Sequence, residues 1–120
     1  MDNNLEVLGN SLFVTGYALG GKPTAEKLAQ ILQQTVAFIG MDTGGMQPKI
    51  WAYPLPNGQG GLGETILQPL VESFLVADSW PDLDKVYVVL ASCRPYDSCA
   101  VASFLAKKIG PVLRSGSFEL

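Results

Sequence analysis

The sequence predicts an α+β fold in which two helices pack on one face of an antiparallel sheet. Three observations lead to this fold class. Two segments have the apolar spacing of helices, and several short segments are rich in the β-branched and aromatic residues of strands. The predicted helices and strands do not alternate regularly along the chain, as they would in a parallel sheet. The chain has 120 residues, the size of one domain, and no internal repeat or linker. We therefore expect a single domain over residues 1–120.

The strands are predicted from runs of β-branched and aromatic residues that are bounded by turn residues. A polar segment at residues 1–10 precedes the first strand, Ser11–Leu19. Pro69 limits the pairing of the third strand, and Trp80-Pro81-Asp82 follows the end of the fourth. The later strands are predicted at Lys49–Leu55, Glu64–Val71, Phe74–Ala77, Lys85–Ala91 and Val112–Phe118.

Two segments are predicted to be helices. Thr24 can cap the first helix, Glu26 suits its first turn, and Gly40 can end it. The second helix is predicted over Ser98–Ile109, and Gly110-Pro111 stops it. The inward residues of the two helices are Leu28, Ile31, Leu32, Thr35, Val36 and Ile39 in the first, and Ala100, Val101, Phe104, Leu105 and Ile109 in the second.

The composition excludes several classes of function. Lys and Arg number 8 and Asp and Glu number 11, which gives a net charge of −3, whereas a nucleic-acid-binding protein needs a basic surface. Histidine is absent, which excludes Ser-His-Asp and Cys-His catalysis and zinc sites built on histidine. We therefore expect no nucleic-acid partner and no metal.

The two cysteines, Cys93 and Cys99, are six residues apart, a spacing that matches no metal or redox motif. Two thiols cannot build a disulfide framework, so we expect a reduced, cytoplasmic setting. The start of the chain lacks a basic segment, and no apolar run is long enough to cross a bilayer, so neither a signal peptide nor a membrane partner is expected. Because only 16% of the residues are charged and 48% are hydrophobic, we expect a homodimer that covers apolar surface.

The string Gly58-Gln59-Gly60-Gly61-Leu62-Gly63 matches the pattern G-x-G-x-x-G. A dinucleotide site needs a helix after these glycines, so that the N-terminus of the helix faces the pyrophosphate. The residues that follow are strand-like. We therefore interpret residues 56–63 as a flexible connection.

The segment Val71–Asp82 carries the most informative motif. Glu72-Ser73-Phe74 is followed by three residues, then by Asp78-Ser79-Trp80-Pro81-Asp82, then by a strand after which Cys93 stands 20 residues beyond the serine. This pattern resembles the S-adenosylmethionine decarboxylase family in its prokaryotic, pyruvoyl-dependent form. That family has Glu-Ser-His, three residues, His-Thr-Trp-Pro-Glu, and then a strand that ends at a cysteine. The resemblance extends over residues 60–110.

The resemblance implies a reaction and a role for several residues. In the family, the serine attacks the preceding carbonyl, the resulting ester breaks by β-elimination, and the serine becomes a pyruvoyl cofactor. This group forms a Schiff base with S-adenosylmethionine and accepts electrons as CO₂ leaves, in polyamine biosynthesis. Carried over, Ser73 is the pyruvoyl precursor, Glu72 supplies the cleaved bond, Cys93 is the proton donor, and Asp78 takes the place of the processing histidine. Judged without the resemblance, Cys93 is expected to be a packed thiol.

The departures from the family pattern determine the expected function. Phe74 and Asp78 replace the two motif histidines, and an aspartate with a pKa near ~3.9 is a weaker base than imidazole unless burial raises that pKa. We therefore predict a divergent, non-processing member that binds a small molecule resembling S-adenosylmethionine. Phe74 and Trp80 are the substrate-binding candidates, and Tyr53 and Tyr96 are further aromatic residues that can stack on a ligand.

Two alternatives remain open at this stage. The first is an active pyruvoyl-dependent decarboxylase in which Asp78 replaces the histidine and the cofactor forms from Ser73. The second is a dimeric interaction protein without enzymatic activity, which pairs through sheet edges or an apolar face.

Overall fold

The computed structural model describes residues 11–55 and 62–120. In these ranges the elements are β1 (Phe13–Gly20), α1 (Ala25–Phe38), β2 (Lys49–Pro54), β3 (Leu62–Pro69), β4 (Ser73–Trp80), β5 (Lys85–Ser92), α2 (Ser98–Lys108) and β6 (Val112–Glu119). A 3₁₀ turn over Pro81–Leu83 joins β4 to β5. The strands form one antiparallel sheet in the order β2-β3-β4-β5-β1-β6. The predicted fold class is confirmed.

One face of the sheet carries the hydrophobic core. Alternate residues of the inner strands are buried, as the period of two in a strand requires. The two helices cover this face, and their rings Phe38 and Phe104 stack at 4.5 Å between centroids. Each fully buried Leu or Ile side chain contributes about 1.5–3 kcal/mol. The core includes Leu19, Ile66, Leu75, Val86, Val88 and Leu90 from the sheet, Leu28, Ile31, Leu32 and Val36 from α1, and Val101 and Leu105 from α2.

The opposite side of the sheet has no helix packed on it among the described residues. We call it the open face. The exposed fraction of its large side chains is 49% for Trp51, 37% for Phe74, 38% for Tyr87 and 57% for Phe118. The strand registers place on it Trp51 and Tyr53 of β2, Thr65 of β3, Phe74, Val76, Asp78 and Trp80 of β4, Tyr87 and Val89 of β5, Val14, Gly16 and Ala18 of β1, and Arg114, Gly116 and Phe118 of β6.

The helix ends agree closely with the predictions. Thr24 caps α1 by accepting a hydrogen bond from the Lys27 amide at 3.2 Å. Asp97 caps α2 by accepting from the amides of Cys99 and Ala100. Beyond α2, Gly110 passes so close to β1 that a Cβ on it would lie 1.9 Å from the Gly20 carbonyl oxygen. This contact explains why a glycine stands there.

Some predicted boundaries are wrong. β4 runs over Ser73–Trp80 and not only over Phe74–Ala77, because a cross-strand hydrogen bond with Thr65 accommodates Asp78 in the strand. β3 begins at Leu62, two residues earlier than predicted, so the end of the glycine-rich string is strand. The rest of that string, residues 58–61, and the predicted polar segment at residues 1–10 lie outside the described residues.

Candidate functional site

The turn that enters β4 brings three of the predicted site residues together. The Leu70 amide donates to the Ser73 carbonyl at 2.9 Å and closes the turn. The Cys93 amide donates to the Glu72 carbonyl at 3.1 Å, just after β5 ends. Since β4 and β5 are hydrogen-bonded neighbours, Glu72, Ser73 and Cys93 lie side by side at one end of the sheet.

The Glu72 side chain is held in place from two sides. Its Oε2 forms an ion pair with Arg94 at 3.0 Å, and its Oε1 accepts from the Asp42 amide at 3.2 Å. Only 11% of the Glu72 side chain is exposed. The Val71 amide also donates to the Asp42 carbonyl, which ties the loop after α1 to this turn. The carboxylate nearest to Ser73 in sequence is therefore already paired with a guanidinium.

The hydrogen bond from the Cys93 amide has a chemical consequence. The Glu72 carbonyl carbon is the atom that the Ser73 hydroxyl would attack in a self-cleavage reaction. A backbone amide directed at the carbonyl oxygen stabilises the negative charge that develops there. The Cys93 amide is the group that would take this part if Ser73 attacked the Glu72 carbonyl.

Asp78 lies elsewhere. It is on β4, five residues after Ser73, and therefore on the opposite face and about 16 Å further along the strand. Its Oδ1 accepts from the Tyr53 hydroxyl at 2.7 Å and from the Thr65 hydroxyl at 2.9 Å. Its Oδ2 accepts from the Trp80 Nε1 at 2.9 Å. We call these four residues the Asp78 cluster; one chain does not bring its Asp78 to its own Ser73.

The tyrosine of the Asp78 cluster acts as a donor. Burial raises the pKa of the Tyr53 hydroxyl, and the Asp78 carboxylate raises it further, while the bond to Thr65 acts in the opposite direction. A raised pKa keeps the proton on Tyr53 at neutral pH. The cluster is therefore a carboxylate surrounded by neutral donors, at the edge of an aromatic surface.

The aromatic candidates fall into two groups. Phe74 and Trp80 are on the open face, the first 37% exposed and the second bonded to Asp78. The Tyr96 hydroxyl instead faces the inside, within hydrogen-bond distance of the Leu90 carbonyl at 3.0 Å and of the Thr15 hydroxyl at 2.9 Å. Tyr96 therefore ties the loop before α2 to the sheet.

The open face also contains a groove that the sequence did not predict. Its volume is about 490 Å³, and it crosses β5, β1 and β6. Gly16 and Gly116 are cross-strand partners in its floor, and Tyr87, Arg114 and Phe118 are among its walls. A Cβ on either glycine would meet no atom within 4 Å, so the missing side chains leave the groove open. Two isolated glycines form no motif, and only the register between β1 and β6 reveals that they meet.

Thr65 and Arg94 were also not predicted as part of the site, because their roles depend on pairing between distant segments. Among residues 11–55 and 62–120, no three Cys, Asp or Glu side chains are grouped as a metal would require. No helix in the described part of the chain has the length and apolarity to span a membrane.

Comparison with solved structures relates the fold to that of the adenosylmethionine decarboxylase from Aquifex aeolicus VF5. The TM-score is 0.66 and the sequence identity 15%, over 92% of this chain and 88% of that chain. No protein-family model and no curated protein matches the sequence. At this identity the likeness establishes the fold, and it agrees with the fold that the Glu-Ser and Trp-Pro motif implies.

Proposed function

We propose that this chain is an S-adenosylmethionine decarboxylase-like protein that does not cleave itself and that binds a small molecule of the S-adenosylmethionine class. The absence of self-cleavage is inferred from the hydrogen bonds of the Asp78 carboxylate. This carboxylate stands where the resembling family has its processing histidine, and three donors already occupy it. The chain has no histidine to replace it.

Self-cleavage needs a base that removes the Cα proton of Ser73 once the ester has formed. The Glu72 carboxylate is close in sequence, but its ion pair with Arg94 and its bond to the Asp42 amide fix it. Asp78 of the same chain is on the other face of β4. Among the described residues, the carboxylate beside the Glu72 carbonyl is thus a paired one and Asp78 is on the other face, so we expect Ser73 to remain a serine.

The ligand half of the proposal rests on the open face. The groove of about 490 Å³ is within the usual range for small-molecule sites, about 300–1,000 Å³. Exposed rings such as Trp51, Phe74 and Tyr87 can stack on a purine or face a sulfonium cation. The Asp78 carboxylate lies on the same surface, in register with Tyr87, and can face a cationic group of a ligand, while Arg114 in the wall of the groove can face an anionic group.

We also propose that the protein functions as a homodimer. The open face exposes four large aromatic side chains on one side of the sheet, and a monomer rarely leaves so much apolar surface in water. A second copy that packs against the open face would cover these rings. In such a dimer the groove lies between two chains.

One observation favours a second candidate, an active pyruvoyl enzyme. The Cys93 amide on the Glu72 carbonyl is what the acyl shift would need. In this case Ser73 becomes the pyruvoyl group, Cys93 is the proton donor, and Asp78 takes the place of the histidine. This would require a rearrangement of β4, because the strand holds Asp78 on the face opposite to Ser73.

A combined binding and turnover experiment tests the proposal. We expect calorimetry to detect S-adenosylmethionine binding, with equal affinity in Ser73→Ala, and we expect no release of CO₂ from carboxyl-labelled substrate. Release of CO₂ by the wild type that Ser73→Ala abolishes would establish the active enzyme instead. Absence of any binding would leave a dimeric interaction protein.

A further inference from the structure

We propose that the cleft between α1 and α2 binds a small multivalent anion of the di- or triphosphate class. This cleft lies among the helices, on the side of the sheet opposite to the open face, so it depends neither on the ligand nor on the dimer proposed above. It has a volume of about 250 Å³ and is lined by Lys27, Gln30, Ile31, Gln34, Lys107 and Lys108.

The antiparallel packing of the two helices brings these side chains together. Phe38, at the end of α1, stacks on Phe104, and a second small cleft joins Phe38 to residues at the start of α2. The first half of α1 therefore lies against the last turn of α2. Residues 27, 30, 31 and 34 follow the spacing i, i+3, i+4 and i+7, so they share the flank of α1 that faces Lys107 and Lys108.

The cleft concentrates positive charge in a chain whose net charge is −3. It holds three of the eight Lys and Arg side chains of the sequence. Within residues 11–55 and 62–120, the ion pairs join other groups, Lys22 to Asp84 and Arg94 to Glu72. No described carboxylate lines the cleft. Its three ammonium groups therefore have no anionic partner in the described part of the chain.

Lys27 occupies a position that folding alone does not favour. It is in the first turn of α1, where the positive end of the helix dipole favours acidic side chains such as Glu26. It also faces Lys107 and Lys108, and like charges repel each other. Those two lysines, by contrast, suit the last turn of α2. A residue that conflicts with its surroundings in two ways is expected where a function requires it.

A multivalent anion in the cleft would remove both conflicts. Its oxygens would accept charge-assisted hydrogen bonds from Lys27 on one side and from Lys107 and Lys108 on the other. The side-chain amides of Gln30 and Gln34 are further donors, since each carries an NH₂ group. The negative charge would also lie near the positive end of the α1 dipole.

The size and shape of the cleft suit a small ligand. Sites for drug-sized molecules have volumes of about 300–1,000 Å³, so a cleft of about 250 Å³ suits an inorganic di- or triphosphate and has no room for a nucleoside as well. Ile31, only 2% exposed, closes the bottom of the cleft. The Lys108 Nζ lies 5.5 Å from the centroid of the Phe104 ring, a cation–π contact that holds this lysine before the anion binds.

Calorimetry of the full chain with sodium tripolyphosphate tests the proposal. At an ionic strength held constant with KCl, we expect one site per chain, with an affinity that falls as KCl is raised. Lys27→Gln should weaken this affinity about tenfold, because one charge-assisted bond is lost. Lys49→Gln is the matched control, since Lys49 is an exposed lysine on the edge strand β2 and lies outside the cleft.

Thermal unfolding gives a readout that a merely structural lysine would not give. Without the anion, Lys27→Gln should melt at a higher temperature than the wild type, because the repulsion and the conflict with the dipole are removed while the helix propensity is nearly unchanged. Tripolyphosphate should raise the melting temperature of the wild type and not that of Lys27→Gln. A lower melting temperature of the anion-free variant would show that Lys27 stabilises the fold, and it would overturn the proposal.

The remaining outcomes also decide the matter. Absence of tripolyphosphate binding by the wild type overturns the proposal, as does binding that Lys27→Gln leaves unchanged, which places the anion elsewhere. An equal loss in Lys49→Gln indicates charge screening alone and overturns it too. ATP should bind in the cleft no more tightly than tripolyphosphate; tighter binding that Lys27→Gln abolishes would indicate a nucleotide site instead. None of these results affects S-adenosylmethionine binding to the open face, which is measured separately.

Discussion

Removing the Asp78 carboxylate is the perturbation that best tests how this site is organised. Three donors converge on it, from Tyr53, Thr65 and Trp80. If the carboxylate is a structural acceptor that holds β2, β3 and β4 in register, Asp78→Ala destabilises the fold. If the carboxylate is instead a free base for self-cleavage, the same substitution changes the rate of that reaction and has little effect on the free energy of unfolding.

The expected magnitude follows from the hydrogen bonds that are lost. A net hydrogen bond contributes about 1 kcal/mol, and an unpaired, partly buried donor costs a similar amount. Once the carboxylate is gone, the Tyr53 and Thr65 hydroxyls, 2.7 Å apart, can bond to each other, whereas the Trp80 N–H loses its acceptor. We therefore expect Asp78→Ala to lose about 2–3 kcal/mol of unfolding free energy. For a chain of this length the melting temperature should fall by about 10 °C.

Thermal and urea unfolding, followed by circular dichroism, measure the effect. Asp78→Asn keeps one oxygen for Tyr53 and Thr65 but turns an amide toward Trp80, so it should lose about half as much. Glu26→Ala is the control, because this exposed carboxylate in the first turn of α1 should contribute a few tenths of a kcal/mol. If Asp78→Ala melts within about 2 °C of the control, the structural role of the cluster is refuted.

Three further predictions concern other parts of the molecule. Gly110→Ala should destabilise the fold by about 3 kcal/mol or more, because its Cβ would meet the Gly20 carbonyl at 1.9 Å, whereas Gly116→Ala should be nearly neutral by the same unfolding assay. Asp97→Ala should cost about 1 kcal/mol through loss of the α2 cap, measurable in urea, and Asp97→Ser should restore most of it. Burial, and secondarily the nearby Tyr96, raises the pKa of Tyr17 above its unfolded value of about 10. The stability that this residue contributes is therefore complete below pH ~10 and falls as the pH rises toward the folded pKa. Tyr17→Phe should flatten the loss of stability between pH ~10 and ~12, and an unchanged alkaline slope would contradict this assignment.

Much of the fold could be predicted because local patterns dominate it. The alternation in β5 and the apolar spacing of α1 both follow from burial on one side, and the caps at Thr24 and Asp97 have clear sequence signals. The missing part of β4 shows where such reasoning fails. Asp78 is a poor strand former, and only its bonds to Thr65 and Tyr53, which come from other strands, make it compatible with the sheet.

The sequence was enough to identify residues of the candidate site, but not to predict how those residues are arranged in space. The motif identified Ser73, Cys93 and Asp78, but their relation depends on strand register. Had β4 been predicted to reach Trp80, its period of two would already have placed Ser73 and Asp78 on opposite faces. The groove over Gly16 and Gly116 requires that β1 pair with β6, a contact between the two ends of the chain.

The mass of the intact purified protein tests the central claim most directly. The account predicts one polypeptide near 12.8 kDa whose Ser73 is an ordinary serine in the tandem mass spectrum. Two fragments, covering residues 1–72 and 73–120, with the second blocked by a keto acyl group at its start, would contradict it.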